Sequence, residues 1–373
     1  MNFDFSDEQK QLRDSARKFL EKQSPVSVVR RVLEGDEGYD VGLWKGLAEM
    51  GFTGAAIPEE FGGAGLGYLE LCVIAEELGR SLAPAPFSST VYLAAEFLLA
   101  AGTDAQKQKW LPKIAAGEAI GTFAHAEVPG EVTAERIRAE VKDGRLSGVK
   151  IPVADGAVAD FAIVSARSGS GLGLYLVELA GPGVSREVVA TIDPSRKHAR
   201  VAFDGAPAEP LAAADAQAVI DAVYDRAAVL IAFEQVGGAD RALEMARDYA
   251  LERIAFGRPI GSFQAIKHML ADMYVSATLA RSNCYWGAYA LSTGSAELPE
   301  AAATCRVSAT KAYQHCSANN IQVHGGMGFT WQFDCHLYYK RSNLLALTLG
   351  GLNVWENRLV ARLRERNAVR DAA

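Results

Sequence analysis

The stretch ALERIAFGRPIGSFQAIKHMLADM, residues 250–273, joins two helical patterns through a tight turn. Gly257, Pro259 and Gly261 break the periodicity, so one long helix ends and another begins here. The pattern predicts Ser262 as the N-cap of the second helix, with Ile266, Leu270 and Met273 following at helical spacing. Arg253 closes the first helix at the turn, where a guanidinium can reach an anion such as a diphosphate. Gln264 falls in the first turn of the second, where free backbone N–H groups attract anions. Chemistry alone leaves two readings open: a plain helix hairpin with a polar rim, or an anion-holding face.

The 373 residues suffice for two or three domains, each with its own core. Hydrophobic residues make up 49% and charged residues 22%, a globular balance. Net charge is −7 with no Lys/Arg-rich block, which argues against a nucleic-acid partner. No apolar run reaches the roughly 18–20 residues that span a bilayer, so no membrane segment is expected. The opening MNFDFSDEQKQ is polar and acidic, unlike a signal peptide. Five cysteines without CxxC or metal spacing imply reduced thiols in a cytoplasmic protein. Cys284, Cys305, Cys316 and Cys335 lie in helical patterns and read as small core residues.

Along the chain the texture changes twice. From Ser6 to about Gly117 it is helical, interrupted by the glycine-rich loop Ile57–Gly65, which lacks the Lys and Ser/Thr of a phosphate-binding loop. From about Ala119 to Phe203, short apolar runs alternate with Asp-Gly, Ser-Gly and Gly-rich breaks, and Asp143-Gly144 is a hairpin signal. From Ala216 the pattern is helical again, with expected helices over Ala216–Arg253, Phe263–Thr293, Pro299–Val323 and Asn353–Arg366. Long antiparallel helices with short links imply a four-helix bundle. Gly237-Gly238 inside the first of these implies close approach of a neighbouring helix.

The segment R-x-x-F-G-x-P-I-x-x-F-Q-x-I-x-H-x-L-A-D-M resembles the signature of acyl-CoA dehydrogenases, flavoenzymes that oxidise acyl-CoA thioesters between the α and β carbons. Ile321–Gly328 resembles a second family motif, I-Q-x-x-G-G-x-G. The resemblance covers essentially the whole chain and is weakest in the β segment. It implies an α+β, mostly α fold: an N-terminal helical domain (1–118), a small β-barrel-like middle domain (119–208) and a C-terminal four-helix bundle (209–373). It further implies FAD, held between the β-domain of one subunit and the bundle of its dimer mate. By the same resemblance Arg253, Phe256, Gln264, Gln322, Gly325 and Gly326 reach the ADP half of the partner's FAD. The electron-transferring flavoprotein is the family's usual acceptor.

Three features depart from the family pattern. Relatives carry a T-E-P-x-x-G-S-D type segment facing the flavin; here it reads Ala126-Glu127-Val128-Pro129-Gly130-Glu131. Their aromatic and T-N-G turn is replaced by Ile151-Pro152-Val153-Ala154-Asp155-Gly156. The base is missing as well. The two family positions fall on Gly350 and on Ala227, and Ala228 stands where relatives carry an Arg near the acyl pocket. Asp225 lies about 200° round the helix from Ala227, and Glu234 about 10 Å along its axis. His324 and His336 read as structural histidines.

Taken together these expectations describe a chain with no catalytic residue of its own. It would complete the FAD site of a second acyl-CoA dehydrogenase chain in an α2β2 assembly acting on an acyl-CoA. A homo-oligomer with a displaced base, and a flavin-free scaffold or acyl-CoA-binding protein, remain as alternatives.

Overall fold

Ser6 opens the first helix with a reciprocal cap. Its hydroxyl accepts from the Gln9 N–H while the Gln9 side chain returns to the Ser6 N–H. The structure, a computed structural model, describes residues 5–169 and 171–372. Helix α1 (Asp7–Gln23) is followed by α2 (Val26–Glu34), α3 (Val41–Glu49) and α4 (Tyr68–Arg80). A widened π-type turn over Ser88–Ala95 runs into α5 (Glu96–Ala101), inside the stretch whose texture reads as helical. Thr103 then caps α6 (Asp104–Ala115) with a second reciprocal pair through Gln106.

The middle segment forms eight strands: β1 (Gly121–Ala124), β2 (Glu140–Lys142), β3 (Arg145–Ala154), β4 (Phe161–Ser168), β5 (Gly171–Glu178), β6 (Val184–Val189), β7 (His198–Pro207) and β8 (Glu209–Pro210). Their order is β6-β7-β3-β2-β4-β5-β8, with β1 parallel to β4 off this path. Asp143 (φ 50°) and Gly144 (φ 69°) turn β2 into β3, as positive φ at both central residues of a two-residue hairpin requires.

The remaining chain is helical: α7 (Ala216–Glu252), α8 (Gln264–Ser292), α9 (Leu298–His324), α10 (Cys335–Leu347) and α11 (Leu352–Ala372). Helix α9 packs against α8, α10 and α11. Within α7 a Cβ at Gly237 would strike the Glu76 carbonyl, and one at Gly238 the Tyr313 ring. The glycine pair is the close approach its position in the sequence implied.

The chain divides into two compact units. One comprises Met1–Val26, Cys72–Ala83 and Ala228–Ala373; the other comprises Ser27–Leu71 and Pro84–Ala227. The first is held by helix packing and by partly buried ion pairs, including Arg17–Glu77 at 2.6 Å and Arg281–Glu76 at 2.7 Å. The second is built round the sheet, with the first six residues of β4 buried throughout. All five cysteines are buried thiols. Among the described residues no helix is long and apolar enough to cross a membrane.

Candidate functional site

The turn after α7 is a miniature hairpin. Ile254–Ala255 pairs antiparallel with Arg258–Pro259 round Phe256 (φ 53°) and Gly257 (φ 78°). This geometry thrusts Phe256 outward, leaving it 94% exposed. Phe263 stands edge-on to its ring at 6.1 Å, and the Arg258 guanidinium stacks over Phe263 at 4.2 Å. Arg253 and Gln264 are also exposed.

Ser262 is not the N-cap that the sequence predicted. Its hydroxyl donates to the Pro259 carbonyl at 2.7 Å, and Phe263 stands at the cap with no side-chain hydrogen bond. The positive end of this 29-residue helix therefore carries no side-chain cap. That makes it better suited to an external anion than the capped helix expected from sequence.

The second motif lies at the end of α9. Gly325 takes φ 60° and ψ −140°, close to a region that glycine alone occupies without strain. A Cβ on Gly325 or Gly326 would meet nothing within 4 Å, so both face open space, and Gln322 is exposed beside them. His324 stacks on Tyr249 at 4.1 Å, and Phe333 stands edge-on to both at 5.6 and 5.9 Å. The His324 Nδ1–H donates to the Asn320 carbonyl at 2.8 Å; burial lowers the ring's pKa. This stack brings the ends of α7 and α9 to one end of the helical unit. All six residues expected to hold the dinucleotide are thus exposed on that unit.

Sequence reasoning missed an apolar surface next to them. Tyr274, Val275 and Leu279 are exposed on α8, as are Leu251 and Ile254 beside the hairpin. A groove of about 480 Å³ runs between α7 and α8, lined by Leu243, Leu270, Ala271 and Tyr274 together with the charged Asp240, Glu244, Arg247 and Arg281. The available signal was that Val275 and Leu279 fall off the buried stripe Met273–Ala277–Ala280.

The segment where relatives cradle the flavin is occupied with its own contacts. Lys150 is completely buried, its Nζ 2.7 Å from Glu127 Oε1 and 3.0 Å from the His125 carbonyl. Burial pulls its pKa down to about 8 against the pull of Glu127. Burial pushes Glu127 up, but hydrogen bonds from Lys150 and from the Ala139 and Arg138 amides outweigh it and lower its pKa overall. The His125 ring meets Ser165 Oγ at 2.7 Å, stacks on Phe123 at 5.1 Å and has Tyr224 edge-on at 6.1 Å. The amine, carboxylate, hydroxyl and imidazole of this segment are turned on one another. A flavin ring needs hydrogen-bond donors and a flat face aimed outward, and these residues do not fit it. The arm built from Arg253, Gln264, Gln322 and the two glycines does fit the dinucleotide half.

Neither position at which the resemblance implies a base carries an acid. Ala227 and Ala228 are buried, and Gly350 (φ 100°) sits in the turn after α10. That turn is fixed from below by Arg306, which donates to the carbonyls of Leu345 and Thr348 and to Gln235. Glu234 is fully buried and lies 3.8 Å from Arg341; Asp225 is buried as well.

The sequence pattern of the acyl-CoA dehydrogenase N-terminal domain matches residues 6–118, and that of the C-terminal domain matches residues 218–363. This chain belongs to the acyl-CoA dehydrogenase family, a family of oxidoreductases whose members bind FAD. It is 36% identical to acyl-CoA dehydrogenase IpdE2 of Mycobacterium tuberculosis, over 90% of this chain and 91% of that protein. Among solved structures it resembles a variant of the steroid ACAD Tcur3481-Tcur3483, with TM-score 0.88 and 32% identity over 97% of this chain and 99% of the other. It also resembles a chain of the ChsE4-ChsE5 complex of Mycobacterium tuberculosis, with TM-score 0.90 and 27% identity over 98% of this chain and 99% of the other.

Proposed function

We propose that this chain is the base-less subunit of an α2β2 acyl-CoA dehydrogenase, contributing to α,β-dehydrogenation of a bulky acyl-CoA thioester in the cytoplasm. Residues 1–118, 119–208 and 209–373 act as the helical, β and bundle segments of that subunit. One asymmetry carries the reading. The exposed arm offers Arg253, Phe256, Gln264, Gln322, Gly325 and Gly326 to a dinucleotide outside the chain. The chain's own cradle has its polar groups consumed internally, and no carboxylate stands at either base position.

In the assembly FAD would supply the hydride acceptor for the thioester's β carbon. The partner chain would bring the carboxylate that takes the α proton. The role of this chain is to hold the diphosphate by Arg253 and the uncapped start of α8, and the adenosine side by Gln322. The exposed apolar residues of α8 offer the partner a docking surface, and the likeness to a chain of the ChsE4-ChsE5 complex supports a second, different chain as that partner. The electron-transferring flavoprotein is the expected acceptor.

Expression of the chain alone and with a co-expressed relative that carries the base separates the possibilities. Colourless, inactive protein that turns yellow and active with the relative is the expected result. Stoichiometric flavin on the isolated chain, bleached by a thioester, would establish the homomer with a displaced base instead. A chain that no relative turns yellow would be a flavin-free scaffold.

A further inference from the structure

The two arms of the proposed dinucleotide face come from parts of the sequence far apart, and one contact in the structure joins them. Tyr249 lies on the last turns of α7 and is bonded through its carbonyl to the Arg253 N–H at 2.9 Å. His324 ends α9 and directly precedes Gly325. Their rings stack with centroids 4.1 Å apart and planes 24° from parallel. Phe333, beyond the glycine turn, closes the cluster edge-on against both. The imidazole is fixed in its plane because Nδ1–H is committed to the Asn320 carbonyl.

We infer that His324 and Tyr249 are positioning residues that hold the Arg253 hairpin and the Gln322–Gly326 turn in register, so that both engage one dinucleotide. The argument is geometric. Arg253 and Phe256 stand on a two-residue turn that is exposed, and Gly325-Gly326 face open space. No side chain of the hairpin 253–259 is buried, and the glycine turn is anchored only from its helix side by buried Val323 and His324, so their separation is set by the ends of the helices that carry them. An offset-stacked pair fixes that separation along the ring normal, and the edge-on third ring limits sliding. The uncapped start of α8 contributes the anion-binding amides, while the stack sets where the glycine turn lies relative to the hairpin.

The inference rests on the proposed role of this face, and its test separates the two. Hydrogen–deuterium exchange is measured on the full chain, alone, for the wild type and for His324→Leu, His324→Phe and Tyr249→Leu. His324→Leu should speed exchange in both 253–263 and 322–333, roughly tenfold or more, although the substitution lies in only one of them. Tyr249→Leu should reproduce the same paired pattern. His324→Phe keeps a stackable ring and should restore most of the protection, which a role limited to the Nδ1–H bond would not allow. Faster exchange confined to the substituted segment would overturn the inference. In the complex with the second chain, His324→Leu should raise the FAD dissociation constant about three- to tenfold and His324→Phe much less. Paired loosening with unchanged FAD affinity would sink the positioning role while the exposed-arm reading survived on Arg253. A wild-type complex without flavin would sink the reading of the face itself.

Discussion

The Arg341 guanidinium lies 3.8 Å from the Glu234 carboxylate, and both side chains are sealed from solvent. Arg306, also fully buried, has its pKa pushed down to about 10 by burial, with Glu234 among the groups pulling it back. Glu234 therefore serves as the counter-charge of a buried cationic cluster. That placement sets a base and a structural acid apart by experiment.

Glu234→Gln should destabilise the chain by about 3–5 kcal/mol, the usual effect of stranding a buried cation. Turnover per folded complex should be unchanged. The check is a urea midpoint beside kcat of the assembled enzyme. Intact stability with kcat reduced by several orders of magnitude would identify Glu234 as the displaced base.

Arg253→Ala removes an exposed side chain and should alter the stability of the isolated chain by less than about 0.5 kcal/mol. A charge-assisted bond to a phosphate contributes about 1.5–3 kcal/mol. FAD affinity of the complex should therefore fall roughly 10- to 150-fold. Unchanged flavin retention on gel filtration would remove Arg253 from the site.

Lys150 couples stability to alkaline pH. Its folded pKa, about 8, lies below its unfolded value. Between about pH 8 and 10.4 the unfolded chain binds more protons at this site, so stability rises with pH across that window. Below the window the cost of burying the charged amine is fully present. The rise is on the order of 1–3 kcal/mol and should vanish in Lys150→Met. The difference between the two urea midpoints at pH 7, 8, 9 and 10 isolates it from other titrating groups; a flat difference would contradict the assignment.

Gly237→Ala inverts the usual helix rule. In an open helix the change gains about 1 kcal/mol. Here the added methyl collides with the Glu76 carbonyl, and backbone cannot move aside as a flexible side chain can. The net effect should be a loss of about 1–3 kcal/mol, read from the thermal midpoint. A stabilised variant would mean the two helices separate easily.

Much of the fold was legible because local chemistry and tertiary demand agree. Ser6 with Gln9, Asp143 with Gly144, and the Gly237-Gly238 pair each behave as their types require. The missed cap at Ser262 has a local cause. The hairpin at Phe256–Gly257 directs the chain so that the Ser262 hydroxyl turns back to Pro259, and a cap rule read from composition cannot see that bend. The exposed Tyr274, Val275 and Leu279 escaped notice because periodicity marks apolar faces without saying what covers them.

The amino-acid sequence by itself determined the helical, β and helical order, the family motifs at Arg253 and Gln322, and the lack of an acid at residues 227 and 350. These follow from residue types and spacings, which need no partner in space. Only the tertiary structure decided that Glu234 faces Arg341, that Glu127 and Lys150 consume each other, and that Tyr249 meets His324. Each is a meeting of residues distant in the chain. Whether a charged or aromatic side chain faces inward or outward is set by what packing brings against it, and no local pattern encodes that.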